Sequence, residues 1–548
     1  MKLNAETNRV LSLVNSALMK GDESALGMAF DGVDLKELLS QETIAVTRAL
    51  GKKPMTLLLC TLAEQNGVEE KRARYWLDCY QSIVKGSLSE NLNTLSNNHV
   101  VKYVLSALVT NSQISQEGLS GKKLKGTPQA WQDALELLLD NKSWASAYEL
   151  IKQLGKKPAD TEIWLQISKS MSCRYPVYID ETGQSQVDVD YHILAKMYGL
   201  CADAAYKAKV MPVHKALMQL SASALETGGQ HEQAIQQLDC LDPDHKSLSI
   251  QLDLARCYCK KSKYLQSLEK LDRVIDLYVD SQNIDDINSI RYLTDERPGE
   301  VIENLSFDIV KASQALRDLS QMANDKETPI FLVSGTLLGF IREGQLLSHD
   351  KDIDVGIIGW ENQYKLCMAL QESGLFNVSV QHLKGKDTYS IPIQHNSTGM
   401  WIDIFVYHEL QGQWVTGVDF FFGYKQTFAF TPFSLKMVKF LGVDMNVPVN
   451  SELNLTENYG DWQKPDSSYL THLESPSTMD KGGLQYMMTA RLTLITACIK
   501  KQNSKIEKIL KLMDDYSFSS GHMKKELILK INKKLLGKSE ETKELCHA

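Results

Sequence analysis

Across the first 300 positions apolar residues recur at three- and four-residue spacing, the period of one face of an α-helix. Trp131, Ala134, Leu135, Leu137 and Leu138 form one such stripe, and Leu252, Leu254, Ala255 and Tyr258 another. The strict alternation of a half-buried strand is nearly absent there. Gly21-Asp22, Gly155-Lys156-Lys157-Pro158 and Asp242-Pro243-Asp244 punctuate the stripes with turn residues. The spacing predicts an almost wholly helical region, interrupted by a polar, hairpin-like insertion between Cys173 and Tyr191. Near Lys326 the pattern changes. Pro329 to Val333 is a short apolar run that suits a buried strand, and Thr336 to Ile341 suits a short helix. Ile353 to Ile358 and Trp401 to Tyr407 are strand-like, and residues 362 to 373 read as an amphipathic helix between them. Residues 414 to 447 add further strand candidates. Beyond about residue 480 helical spacing returns, in TARLTLITACIKK and ELILKINKKLL, before a polar tail.

Within the helical region EQAIQQL (Glu232 to Leu238) matches LQSLEKL (Leu265 to Leu271) at an offset of 33 residues. Small residues at Ala234 and Ala255, with Tyr258 and Tyr264 at aromatic positions, make this stretch resemble a tetratricopeptide repeat, and Trp144 to Leu154 reads as an earlier, degenerate copy. Such a resemblance implies helical hairpins stacked so that each covers its neighbour's apolar face, a surface suited to a protein partner. The expected architecture is multidomain. A helical region (1–205) and tetratricopeptide-like repeats (206–300) precede an α/β or α+β catalytic domain (301–480), followed by a C-terminal helical segment and tail (481–548).

Composition narrows the function classes. Of 548 residues 43% are hydrophobic, enough for large cores. The net charge of -8 argues against a broad basic surface for nucleic acid. Ten cysteines are scattered without a CxxC pair, which fits a reducing compartment, and Cys257 and Cys259 read as core thiols rather than a zinc hook. The amphipathic N-terminus lacks the apolar core of a signal peptide. The most apolar stretch, Thr328 to Ile341, is short and broken by Ser334-Gly335, so no transmembrane segment is expected. These features predict a cytoplasmic protein, at most peripheral at an inner membrane.

The chemistry concentrates in residues 331 to 357, FLVSGTLLGFIREGQLLSHDKDIDVGI. Asp350, Asp352 and Asp354 alternate, so on an extended strand they share one face while Ile353 and Val355 take the other. Carboxylates about 6.5 to 7 Å apart repel by about 2.5 kcal/mol at an effective dielectric near 20. A hard dication, Mg²⁺ or Mn²⁺, converts that repulsion into binding. Asp403, flanked by Ile402 and Ile404, supplies a further carboxylate from a second apolar strand. Ser334-Gly335-Thr336 lies between a strand and a helix, where free N–H groups, two hydroxyls and a glycine can cradle phosphate, and Arg342 can pair with a phosphate through its planar fork. Three carboxylates, a cation and a phosphate cradle are the parts of a phosphoryl-transfer site.

Gly335-Thr-Leu-Leu-Gly339, Arg342-Glu-Gly344, Asp350-Lys-Asp-Ile-Asp354, Ile402-Asp-Ile-Phe405 and a later Tyr459-Gly460-Asp-Trp462-Gln-Lys-Pro465 stand in this order. Together they resemble the LicD/fukutin family of the nucleotidyltransferase superfamily, over roughly residues 329 to 470. His349 stands where a tryptophan is common, Val406 where a proline is common, and the gap from Gly335 to Asp352 is long. The resemblance implies a nucleotidyltransferase fold. It also implies transfer of a phospho-alcohol group (phosphocholine, ribitol phosphate, glycerol phosphate or similar) from a CDP-linked donor to a sugar hydroxyl of a surface glycan, with CMP leaving. Asp352 and Asp354 would hold the metal bridging the donor phosphates. Asp403 would be a further ligand or the base for the acceptor hydroxyl, and Asp350 a ligand or a residue orienting the site from its edge. Two other readings stay open: a nucleotidyltransferase that moves NMP and releases pyrophosphate, and a helical-repeat interaction protein with an inactive transferase module. Among single residues, Arg342 is balanced between phosphate and a structural salt bridge. The bland reading is the stronger for His349 and His408, for Tyr459 and Trp462 as packing residues, and for Lys384 and Lys386 in a solvated loop before Asp387 and Tyr389.

Overall fold

The computed structural model describes residues 99–119, 126–154, 189–281, 308–347, 352–379, 383–420, 422–466, 468–516 and 523–537, with scattered positions besides. The amphipathic N-terminus apart from Val10, the turns at Gly21-Asp22 and Gly155 to Pro158, His349 and the polar tail lie outside the described residues. The chain divides into two compact units. One comprises Met1–Gln230, Cys367–Gly385 and Gln394–Gly399, the other His231–Leu366, Lys386–Ile393 and Met400–Ala548.

In the first unit helices His99–Val109, Pro128–Asp140, Trp144–Leu154, Tyr191–Lys207 and Met211–Thr227 pack each against the next. Their inner faces are the stripes read from the sequence: Trp131, Ala134, Leu135, Leu137 and Leu138 are all buried. The hairpin-like insertion is a short antiparallel ribbon, Val177–Ile179 against Ser185–Val187. One turn recurs at the helix ends. Lys142, Lys209, Gly229 and Ser262 are left-handed, and the N–H after each bonds back to the carbonyl of Leu138, Ala205, Leu225 and Tyr258 respectively. This is a six-to-one closure that satisfies the last carbonyls of a helix. Gly229 and Ser262 stand 33 residues apart, the offset of the sequence repeat.

The second unit opens with α1 (His231–Leu241), α2 (Leu248–Lys260) and α3 (Tyr264–Asp280). Ala234, Ala255 and Ser267 are fully buried, and Ser267 Oγ donates to the Ala255 carbonyl at 2.7 Å, so small side chains allow α2 and α3 to approach closely. Cys257 and Cys259 are buried thiols outside any disulfide. The Asp242 carboxylate closes the turn before α2 by accepting from Lys246 N, Ser247 N and Gln251 Nε2 at 2.9 to 3.0 Å.

After α4 (Ile309–Asp325) comes a mixed sheet. Among its elements, in chain order, are β1 (Ile330–Leu332), α5 (Ser334–Glu343), β2 (Asp352–Ile358), α6 (Trp360–Ser373), β3 (Ser390–His395), β4 (Trp401–Leu410), β5 (Gln413–Asp419), β6 (Lys425–Phe430), β7 (Leu435–Phe440) and β8 (Val443–Pro448). The strands lie in the order β7-β8-β1-β2-β4-β3, with β5 and β6 continuing from β4. β2 is antiparallel to β1 and parallel to β4. The apolar stretch Thr328 to Ile341 becomes β1 and α5, with Phe331, Leu332 and Leu337 fully buried. Among the described residues no helix is long and apolar enough to cross a membrane. Gly356 on β2 is imposed by packing, since a Cβ there would stand 2.5 Å from the Phe331 ring.

The chain returns to helix in α7 (Ser451–Tyr459), α8 (Leu484–Ile499), α9 (Asn503–Asp514) and α10 (Lys525–Leu535). Remote in sequence, α8 to α10 share one core with α2 and α3: Leu271, Val274 and Ile275 meet Met487, Leu494, Ile495, Ile509 and Ile531. Arg491 ties this core together. Only 1% of its side chain is exposed, yet four of its five N–H groups are used: Nε and Nη2 to the Asp272 carboxylate at 2.6 and 3.2 Å, Nη1 to Met487 O at 3.2 Å, and Nη2 to Gly521 O at 2.9 Å. Burial raises the Asp272 carboxyl pKa despite the guanidinium that opposes it. Such a pair adds little net stability over an apolar substitute, but removing one partner strands the other. Asp272→Ala is therefore expected to destabilise the protein by about 3 to 5 kcal/mol in urea unfolding, and Asp272→Leu combined with Arg491→Met by much less.

Candidate active site

β2 alternates as its sequence predicts. Ile353 and Val355 are fully buried, while Asp352 and Asp354 lie on the partly exposed face. β4 repeats the arrangement with Ile402 and Ile404 buried and Asp403 between them. Parallel pairing sets Asp352 opposite Trp401 and Asp354 directly opposite Asp403. Neighbouring strands lie about 4.8 Å apart, so two carboxylates leave from facing positions. At roughly 5 Å and an effective dielectric near 20 they repel by about 3 kcal/mol.

The turn before α5 meets this pair. Val333 is extended, and Ser334 then adopts a left-handed φ of 46°, a conformation that costs a residue with a Cβ roughly 1 kcal/mol. The reversal aims Gly335 N–H at Asp354 Oδ2, 3.0 Å away. A Cβ on Gly335 would stand 3.3 Å from that oxygen and 3.4 and 3.5 Å from the two Asp350 oxygens, so the missing side chain leaves open the space between turn and carboxylates. The other motif glycines serve the backbone. A Cβ on Gly339 would lie 2.6 Å from Gln345 O, where the chain doubles back over α5, and Gly344 ends the helix at φ 69°. That return brings Asp350 to the site.

The charges of the site act on one another. The Asp354 carboxyl pKa is raised well above the usual range, by burial first and then by Asp352, Asp403 and Asp350, with the Gly335 N–H opposing the rise. Tyr459, the last residue of α7, is likewise raised, by burial and then by Asp354 and Asp350. Tyr407 is raised by burial and by Asp354. Tyr459, read from sequence as a packing residue, thus stands in the field of the carboxylates. α7 packs on α5, and the Tyr459 ring lies 5.4 Å from that of Tyr469. Its place in the Tyr-Gly motif was the available signal; for Tyr407 there was none. Among the described residues no three Asp, Glu, His or Cys side chains close around one point tightly enough to hold an ion as they stand. The donor set itself fits a hard dication: carboxylate oxygens from two strands and a loop around a space that Gly335 keeps clear.

Several candidates fall elsewhere. Arg342 lies seven residues beyond Gly335, about 10 Å further along the helix axis, and Nη2 pairs with Glu343 at 3.1 Å. Thr336 is fully buried, with its hydroxyl on Asp354 N rather than toward the open face. His408 Nε2 donates to Thr388 O at 2.8 Å and its ring packs on Tyr389, over which Lys425 also lies. Lys384 and Lys386 are exposed. Trp462 is buried, and its indole N–H donates to Thr456 Oγ1 at 3.2 Å.

Residues 327–450 match the family described as LicD/FKTN/FKRP, nucleotidyltransferase domain. Ribitol-5-phosphate transferase FKTN of Mus musculus is 26% identical over 190 residues, which cover 33% of this chain and 41% of the relative. The Homo sapiens protein of that name is 25% identical with the same coverage, and that of Macaca fascicularis is 26% identical over 174 residues, 31% of this chain and 37% of the relative. The chain therefore spans about two-fifths of the length of these curated relatives. Residues 327–450, which hold strands β1 to β8, are thus similar to a LicD/FKTN-type domain.

The raised Asp354 pKa has a consequence for stability. Because the folded value exceeds the unfolded one, near 3.9, ionising the group costs folding free energy. Stability of the metal-free protein falls as pH rises from that value through the raised one. Asp354→Asn keeps an acceptor for Gly335 N–H and removes the charge. In chelator at neutral pH it is expected to unfold at a higher temperature than the wild type. Lower stability in the variant would mean that the carboxylates do not strain the fold.

Proposed function

We propose that the chain is a divalent-metal-dependent phosphotransferase of the LicD/fukutin type, which moves a phospho-alcohol group from a CDP-linked donor to a sugar hydroxyl. The observation that carries this reading is the register of Asp354 opposite Asp403 beside the Gly335 amide. The family match over 327–450 and relatives named ribitol-5-phosphate transferases support the donor class.

Asp352, Asp354 and Asp403 would hold Mg²⁺ or Mn²⁺, with Asp350 at the edge of the set. When bound, the ion neutralises donor phosphate oxygens and the charge that develops on the leaving phosphate. Gly335 lets the turn approach phosphate without a side chain in the way, and the N-terminal amides of α5 favour the negative group. The acceptor oxygen forms a bond to the phosphorus that carries the alcohol. The bond from that phosphorus to the oxygen shared with CMP breaks, and the hydroxyl proton passes to solvent or to a carboxylate of the site. Tyr459 and Tyr407 stand in the field of the carboxylates. The helical hairpins that precede the sheet would serve as a tetratricopeptide-like scaffold for a protein or glycan partner.

Incubation of the protein with Mg²⁺, a panel of CDP-linked alcohols and candidate glycans is expected to release CMP. Asp352→Asn should lower turnover by more than about a hundredfold while the far-ultraviolet spectrum stays unchanged, as expected for loss of a metal-held charge. Release of pyrophosphate from a nucleoside triphosphate instead would reassign the reaction to nucleotidyl transfer, and full activity of Asp352→Asn would refute the metal site.

A further inference from the structure

The sequence pattern places Ser334, Gly335 and Thr336 together in the phosphate cradle, but their positions separate them. Thr336 is fully buried, and its Oγ1 accepts the Asp354 N–H at 2.8 Å. The reason lies in how β1 ends. Its ladder with β2 runs from Ile330 opposite Ile357 to Leu332 opposite Val355. One step further, Val333 N still donates to Asp354 O at 3.4 Å. The reciprocal bond from Asp354 N would need the Val333 carbonyl, but that carbonyl accepts Leu337 N at 2.9 Å and opens α5. The left-handed Ser334 turns the chain away at this point. The Thr336 hydroxyl takes the place of the missing carbonyl and extends the ladder by one bond, at the residue whose carboxylate faces Asp403.

We propose that Thr336 is a positioning residue. It fixes the backbone of Asp354 so that its carboxylate is aligned with Asp403 for the divalent cation, and it does not contact phosphate. Gly335 N–H holds Oδ2 of the same side chain, so two consecutive residues of one turn set the main chain and the carboxylate of Asp354. This inference rests on the reading of Asp354 as a cation ligand.

Mn²⁺ affinity, read from the electron paramagnetic resonance of free Mn²⁺ without substrate, separates the roles. Thr336→Val is expected to weaken Mn²⁺ binding by about tenfold, as loss of a group that orients a ligand does. At saturating Mn²⁺ it should lower kcat and leave the KM for the CDP-linked donor within about twofold. Thr336→Ser, which keeps the oxygen, should return Mn²⁺ affinity to within about threefold of wild type. The Ser and Ala variants differ only in the hydroxyl and carry the comparison if the Val variant fails to fold. Wild-type Mn²⁺ affinity in the Val or Ala variant overturns the proposal, and so does a raised donor KM with unchanged metal affinity, which would make Thr336 a phosphate ligand. Asp354→Asn serves as the control for the underlying reading: if it binds Mn²⁺ as wild type does, that reading falls whatever Thr336 does.

Discussion

Two aspartates held opposite each other on adjacent parallel strands form the constraint around which the second unit is arranged. Asp354 and Asp403 repel by about 3 kcal/mol at strand spacing, and Asp352 and Asp350 add to the field. The pairing survives because the alternate residues act in the other direction. Ile353, Val355, Ile402 and Ile404 are all fully buried, and each aliphatic side chain contributes about 1.5 to 3 kcal/mol on burial. Their sum exceeds the repulsion, so the same strands that bring the charges together hold them there.

The segment before β2 sets where those charges can be reached. Three glycines contribute for three different reasons. Gly335 leaves space beside Asp350 and Asp354, Gly339 accepts the returning chain at a distance no Cβ allows, and Gly344 supplies a left-handed helix end. Without the close return over Gly339, the stretch leading to Asp350 would take another path. α7 then packs on α5 and carries Tyr459 to the carboxylates from a further element. The site is thus assembled from two strands, one turn and one helix end whose mutual positions depend on backbone approach as much as on side-chain chemistry.

Much of this was legible in the sequence, for physical reasons. Period-two alternation of Asp with Ile or Val fixes strand and face at once, so β2 and β4 and their acidic faces followed from spacing. The helical stripes and small residues at Ala234 and Ala255 likewise followed from period and size. Hidden features have equally definite causes. The recurring helix turn places Lys142, Lys209 and Ser262 in the left-handed region, where a reader of sequence expects glycine or asparagine. Thr336 and Gly335 are adjacent and similar in the motif, but only the end of the β1 ladder shows that one faces the strand. Arg342 has the chemistry of a phosphate ligand, but the rise of α5 carries it away from the turn to Glu343. The union of α8 to α10 with α2 and α3 depends on residues more than two hundred positions apart, as Arg491 and Asp272 are. No local period encodes such a contact.

The second unit treats charges drawn away from water in two opposite ways. At Arg491 the guanidinium receives a carboxylate in a two-point contact and two carbonyls, so a charge with almost no exposure has four of its five donors met. At Asp354 the carboxylate receives the Gly335 N–H while three more carboxylates raise its pKa. The chain therefore has the means to neutralise a buried charge, and its own Arg342 is only one helix length away, paired with Glu343. Leaving like charges together where a neighbouring cation would relieve them is unfavourable for folding alone. It becomes favourable once a ligand of opposite charge completes the set, because the repulsion relieved on binding adds to the affinity for that ligand. A structural ion pair is selected to be complete without a partner, whereas this centre is arranged to be completed by one.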